Sequence, residues 1–98
     1  MATPESKVKK KVKDILKLHG AYYAMPIGTG FGNAGVPDFL ICFDGCFIAI
    51  ECKANGGKVT ALQKKNLEEI EDCGGFSWVI DETNVDQLAS RLEGLRIK

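Results

Sequence analysis

The chain has 98 residues, 45% of them hydrophobic and 27% charged, and a formal net charge of zero at pH 7. That length fits one small domain over residues 1–98. With no apolar run long enough to span a bilayer and no signal-peptide core at the N-terminus, a cytoplasmic protein is expected. The zero balance hides an asymmetry: residues 1–65 carry ten Lys against five acids, and residues 66–98 carry three basic residues against eight acids.

Residues 4–19 read as a first helix. Thr3 suits the N-cap, Pro4 the first helical position and Gly20 the stop. Val8, Val12, Ile15 and Leu16 recur at the helical period and form its buried stripe. Glu5 projects near that stripe, and His19 extends it as a satisfied helix-terminus residue. Lys7, Lys9, Lys10, Lys11, Lys13 and Lys17 crowd the same helix, as a phosphate-binding surface or as a solvated face. Residues 21–27 read as a short strand, confined by Pro26 to a strand end or an edge. A glycine-rich loop covers 28–35, and strands follow at about 38–43 and 46–53. Residues 61–73 form the second helix. It opens on a Thr60/Gln63 capping box, turns Leu62, Leu67 and Ile70 inward and stops at Gly74-Gly75. Residues 76–80 are a buried strand with Trp78 in the core. Asn84 and Gln87 suggest a last capped helix with Val85, Leu88, Leu92 and Leu95 inward. The order is α-β-β-β-α-β-α, an α/β chain. Strand 46–53, helix 61–73 and strand 76–80 make a parallel crossover unit, expected to be right-handed.

The chemistry gathers around Asp44-Gly45, a strong two-residue hairpin signal. With these residues as the turn, Phe43 faces Cys46, Cys42 faces Phe47, and the register continues outward until Asp38 faces Glu51. Directly opposed residues have Cβ atoms about 5 Å apart. Lys53, two residues beyond Glu51, projects from the same face. Two carboxylates at that spacing repel each other, and a hard divalent cation relieves the repulsion. The hairpin therefore predicts a divalent-metal site with a charged helper.

The four cysteines, Cys42, Cys46, Cys52 and Cys73, show no paired C-x-x-C spacing. The register puts Cys42 on the Asp38 face and Cys46 and Cys52 on the other. A thiolate metal site or a bond between Cys42 and Cys46 is thereby excluded, and free buried cysteines on strands are expected. Residues 30–35 match G-x-G-x-x-G, but Val36-Pro37 follows and disfavours helix. With no helix N-terminus to receive a pyrophosphate, the dinucleotide reading fails. The loop is instead a glycine-rich approach to Asp38, either a plain connection or one whose backbone N–H groups meet a phosphodiester.

Pro37-Asp38 followed by Glu51-Cys52-Lys53, within this element order, resembles the PD-(D/E)xK nuclease superfamily. The runs Gly35-Val36-Pro37-Asp38-Phe39-Leu40 and Phe47-Ile48-Ala49-Ile50-Glu51-Cys52-Lys53, with Gly57-Lys58 and Gln63 downstream, resemble the virus-type replication-repair nuclease domain, VRR-NUC. The resemblance runs from the first helix to strand 76–80. It implies a restriction-endonuclease-like core, a mixed sheet flanked by helices, and a nuclease using Mg²⁺ or Mn²⁺. Asp38, Glu51 and the backbone carbonyl of Cys52 are then metal ligands. Glu5 completes the shell directly or through water. Lys53 orients or helps deprotonate the attacking water and offsets charge on the phosphate. Gln63 contacts the water or the scissile phosphate, a role compatible with capping. Lys58, Lys64 and Lys65, with Gly30 and Gly32 of the loop, are candidate DNA contacts, the lysines being equally consistent with a solvated face. Tyr22, Tyr23 and Phe31 could stack on bases or pack.

Family analogy further implies a homodimer acting on branched DNA as a Holliday-junction-resolvase-like endonuclease, leaving 5′-phosphate and 3′-hydroxyl ends. The alternatives are a flap or duplex-end nuclease of replication and repair, and a non-catalytic DNA-binding module of the same fold.

Overall fold

The computed structural model describes residues 2–27 and 34–96. Its elements follow the expected order: α1 (Pro4–Leu18), β1 (Tyr22–Ala24), β2 (Phe39–Phe43), β3 (Cys46–Cys52), α2 (Ala61–Asp72), β4 (Phe76–Ile80), a 3₁₀ turn (Val85–Gln87) and α3 (Leu88–Gly94). The local signals at the helix ends are realised. Thr3 accepts a hydrogen bond from the Ser6 N–H, and Gly20 closes α1 at φ +72°. His19 caps the helix and its Nδ1 donates to the Ile15 carbonyl at 2.9 Å. Both halves of the Thr60/Gln63 capping box are formed, and Gly74 leaves α2 at φ +100°.

The four strands make one mixed sheet in the order β1-β2-β3-β4. The β1/β2 and β2/β3 pairs are antiparallel and β3/β4 is parallel, as the crossover through α2 demands. Asp44 and Gly45 both have positive φ, +50° and +82°, the geometry of a two-residue type I′ hairpin turn. The predicted register is therefore the observed one, from Phe43 opposite Cys46 to Phe39 opposite Ile50.

That register sorts the sheet into two faces. Phe39, Ile41, Phe43, Ile48, Ile50, Cys52 and Ile80 pack with Val8, Val12 and Leu16 of α1 and with Val85, Leu88 and Leu92 of the C-terminal segment. This is the main core, and α1 and α3 lie over it. The alternate residues of β3, Ala49 and Glu51, point to the other face, where α2 lies with Leu67 buried.

Several expectations are corrected. Leu62 was expected inward, but it is 53% exposed, because Gln63, four residues before the buried Leu67, takes the inward position on that turn and bonds Glu51. Asn84 does not cap a helix with its side chain. Its amide is committed backward, accepting from the Asp81 N–H and donating to the Val79 carbonyl, so the segment enters α3 through a 3₁₀ turn. The strand read over 21–27 is only Tyr22–Ala24, since pairing with β2 ends at Ala24 opposite Leu40. Of the cysteines, all free, only Cys52 is buried. Cys42 and Cys73 are exposed and Cys46 is intermediate: Cys42 lies on the face opposite the main core, Cys46 sits at the hairpin turn at the rim of that core, and Cys73 caps the end of α2. Trp78 is half-buried rather than enclosed, with the Arg91 guanidinium 5.5 Å from its ring centroid.

Candidate active site

Asp38 stands one residue before β2, so the step outward from the Phe39–Ile50 pair brings it opposite Glu51. It is fastened there by its own carboxylate: Oδ2 accepts the Cys52 backbone N–H at 2.8 Å. A backbone donor from the strand bearing Glu51 thus sets the position of the other acid. Pro37, just upstream, is buried and anchors the entry to β2. Further back the chain is held against α2. Asn66 Nδ2 donates to the Ala34 carbonyl at 2.9 Å, and a Cβ on Gly35 would lie 2.6 Å from the Leu62 carbonyl carbon. With φ at +79°, Gly35 is required there on two counts, conformation and close approach.

Glu51 is the one buried charged residue among the described residues, at 3% exposure. Its Oε2 accepts the Gln63 side-chain amide at 3.1 Å and lies 3.7 Å from Lys53 Nζ. Its Oε1 is buried without a hydrogen-bond partner among the described residues. Burial, then the neighbouring Asp38 charge, push the Glu51 carboxyl up to about 7 against the pull of Lys53.

Gln63 joins local structure to the site. Its Oε1 accepts the Thr60 N–H at 2.9 Å, the returning half of the capping box. An N–H can only donate, so that bond fixes which end of the amide faces Thr60. The NH₂ end is left aimed at Glu51, so one residue caps the helix and orders the carboxylate at once.

Lys9 was seen in the sequence only as one of six lysines on α1. Its Nζ lies 3.4 Å from Glu5 and 3.5 Å from Asp38 Oδ1. Burial pulls its pKa down, but the two carboxylates outweigh that and raise it above the ordinary value. The Glu5–Lys9 spacing of four was a legible signal for a helical ion pair; the reach to Asp38 was not. Glu5 therefore meets Asp38 through Lys9. Among the described residues no three His, Cys, Asp or Glu side chains gather into a ready-made metal cage. Lys58, Lys64 and Lys65 are all exposed around the start of α2. Gly30, Gly32 and Phe31 lie outside the described residues. Beyond Lys53, Asn55 and Gly56 (φ +54° and +76°) make a second tight turn, and the Asn55 N–H donates to Glu82 Oε1 at 2.6 Å.

Two strand-end carboxylates, a lysine two residues past the second, and a mixed sheet between helices form the PD-(D/E)xK arrangement. Comparison with solved structures agrees. One chain described as a VRR_NUC domain superposes with a TM-score of 0.74 at 25% identity, over 91% of this chain and 97% of its own. Another, a VRR_NUC domain protein, has a TM-score of 0.71 at 19% identity, over 95% of this chain and 88% of its own. No protein-family model matches the chain, and no curated protein matches it either. The resemblance read from the motif is thus borne out in three dimensions: the chain carries a VRR-NUC fold, a mixed four-stranded sheet flanked by helices. This likeness supports a nuclease of the PD-(D/E)xK superfamily.

The donor set also fits the divalent metal that such nucleases generally use. Glu51 Oε1 is a buried carboxyl oxygen without a hydrogen-bond partner among the described residues, beside a second carboxylate. An oxygen-preferring cation would satisfy it and relieve the repulsion from Asp38, which together with burial raises the Glu51 pKa.

Proposed function

We propose that residues 1–98 act as one metal-dependent DNA endonuclease domain that hydrolyses phosphodiesters to 5′-phosphate and 3′-hydroxyl ends. The observation that carries the reading is Glu51: a buried carboxylate with one oxygen unpartnered among the described residues, set between Asp38, Lys53 and Gln63. Burying a charge is unfavourable, and the Lys53 ion pair offsets only part of that cost, since the carboxyl is still raised to about 7.

Asp38, Glu51 and the Cys52 carbonyl would hold Mg²⁺ or Mn²⁺, with Glu5 contributing through water from α1. When bound, the metal would supply Lewis-acid polarisation of the phosphodiester and a more acidic water. Lys53, tethered near Glu51, orients the attacking water and offsets charge on the phosphate. Water attacks phosphorus in line, and the bond to the 3′ oxygen breaks. Gln63 holds Glu51 in place from α2 and reaches the water or the scissile phosphate. Lys58, Lys64 and Lys65, exposed around the start of α2, bind flanking phosphates.

The finer reading is a two-fold dimer cutting four-way junctions. The described fold offers one candidate site, and opposed strands need two sites related by symmetry. Leu18, Tyr22 and Ile27, 75–83% exposed near α1's end and edge strand β1, suit such an interface.

The test is incubation of purified protein with labelled four-way junction, flap, duplex and single-stranded DNA, with and without Mg²⁺, with cut mapping and light scattering. Junction nicking that requires Mg²⁺, and is abolished in folded D38N and K53A, is the expected result. Cutting confined to flaps or duplex ends would replace the junction reading. No cutting of any substrate would refute the nuclease.

A further inference from the structure

Lys9 stands apart from the other lysines of α1. Its side chain is 33% exposed, whereas that of Lys10, paired with Asp14 one face away, is 75% exposed. It bridges two elements, linking Glu5 on its own helix to Asp38 on the hairpin. The atoms it selects matter. Asp38 Oδ2 is taken by the Cys52 N–H, so Lys9 sits on Oδ1, the other carboxylate oxygen. Asp38 would offer this oxygen to a cation, since the Cys52 N–H already occupies the other.

We propose that Lys9 is a tethered counter-cation of the nuclease site, a positioning residue that holds Glu5 and Asp38 and competes with the divalent metal for Asp38 Oδ1. The inference rests on the metal-dependent reading above and goes beyond it in one respect: affinity for the metal is set by an ammonium from α1 as well as by the ligands. With Asp38 engaged by a metal, the Lys9 ammonium would be freed, still anchored beside the site by Glu5, and would be available to a phosphate. Metal and nucleic acid then favour each other, each drawing on what the other releases. A lysine suits this exchange because its point charge sits on a flexible stem.

The experiment is calorimetric titration of Mn²⁺ into DNA-free wild-type protein, K9M, K10M and D38N, each checked for folding by circular dichroism. Removing a unit charge a few Å from a dication at a half-exposed site should tighten binding by about tenfold in K9M. K10M should match wild type, and D38N should lose measurable binding. K9M no tighter than K10M, with D38N still defective, overturns the role of Lys9 while leaving the metal site standing. Absence of Mn²⁺ uptake by every protein overturns both. A second measurement needs no loss of charge. Lysines are ¹³C-methylated, the Lys9 signal is assigned by its absence in K9R, and Mg²⁺ is titrated. The Lys9 signal should shift and the Lys10 signal stay; a Lys9 signal unmoved at saturation overturns the proposal even if K9M does not fold.

Discussion

Replacing Glu51 with Gln should make this protein more stable at pH 8 and change it little near pH 5. In the folded state burial and Asp38 raise the Glu51 carboxyl from 4.5 to about 7. In the unfolded chain it ionises at its ordinary value. Below pH 4.5 the carboxyl is protonated in both states and carries no penalty. Between the two values the unfolded state has already released its proton, so stability falls as pH rises. Above 7 the penalty is complete, and the shift converts to about 3 kcal/mol. E51Q keeps the shape of the side chain and an oxygen for the Gln63 amide. It deprives Lys53 of its charged partner, which offsets part of the gain. A net gain of about 2 kcal/mol at pH 8 corresponds to roughly 10 °C in a domain of this size. Thermal melts by circular dichroism in EDTA, at pH 5, 6, 7 and 8, provide the assay. The gap between variant and wild type should close steadily as pH is lowered. A gap that does not change with pH, or an E51Q protein that melts below wild type at pH 8, would refute the reasoning.

Q63E should leave the α2 cap intact, since Glu serves a capping box as well as Gln does. It places a carboxylate against Glu51, so its melting temperature should fall at pH 8 by the equivalent of about 1 kcal/mol or more and recover toward pH 5. An equal loss at both pH values would mean that the cap, not the charge, was disturbed. G35A meets backbone of Leu62 and Gln63 at 2.6–2.8 Å with a positive φ, so it should cost about 2 kcal/mol or more in urea unfolding. Unchanged stability would show that the loop is not held against α2. In maleimide labelling at pH 8 followed by mass spectrometry, exposed Cys42 and Cys73 should react quickly. Cys52, fully buried and with its thiol pushed up to about 12 by burial and the neighbouring acids, should react only on unfolding. Rapid labelling of Cys52 would contradict the packing of β3.

The hairpin was legible because both of its determinants are local. Asp44-Gly45 selects a turn with two positive φ values, and strand pairing of period two then carries the register outward to Asp38 and Glu51 without any knowledge of the rest of the fold. The capping of α1 and α2 was legible for the same reason, each bond spanning three residues. Asn84 shows where such reasoning stops. A capping residue by type, it spends its amide on Asp81 and Val79, because the chain turning off β4 brings those groups within reach.

By itself the sequence determined the element order, the strand register and therefore which acids oppose each other, since these follow from torsional preference and short-range hydrogen bonds. Tertiary structure decided the depth and state of the site. Only the packing of α2 on the β3 face buries Glu51, turns the far end of the Gln63 amide onto it and leaves one oxygen without a partner among the described residues. Only the seating of α1 on the opposite face brings Lys9, one lysine among six in the sequence, to Asp38. Burial and long-range charge depend on what lies across the fold, and no spacing along the chain encodes that distance.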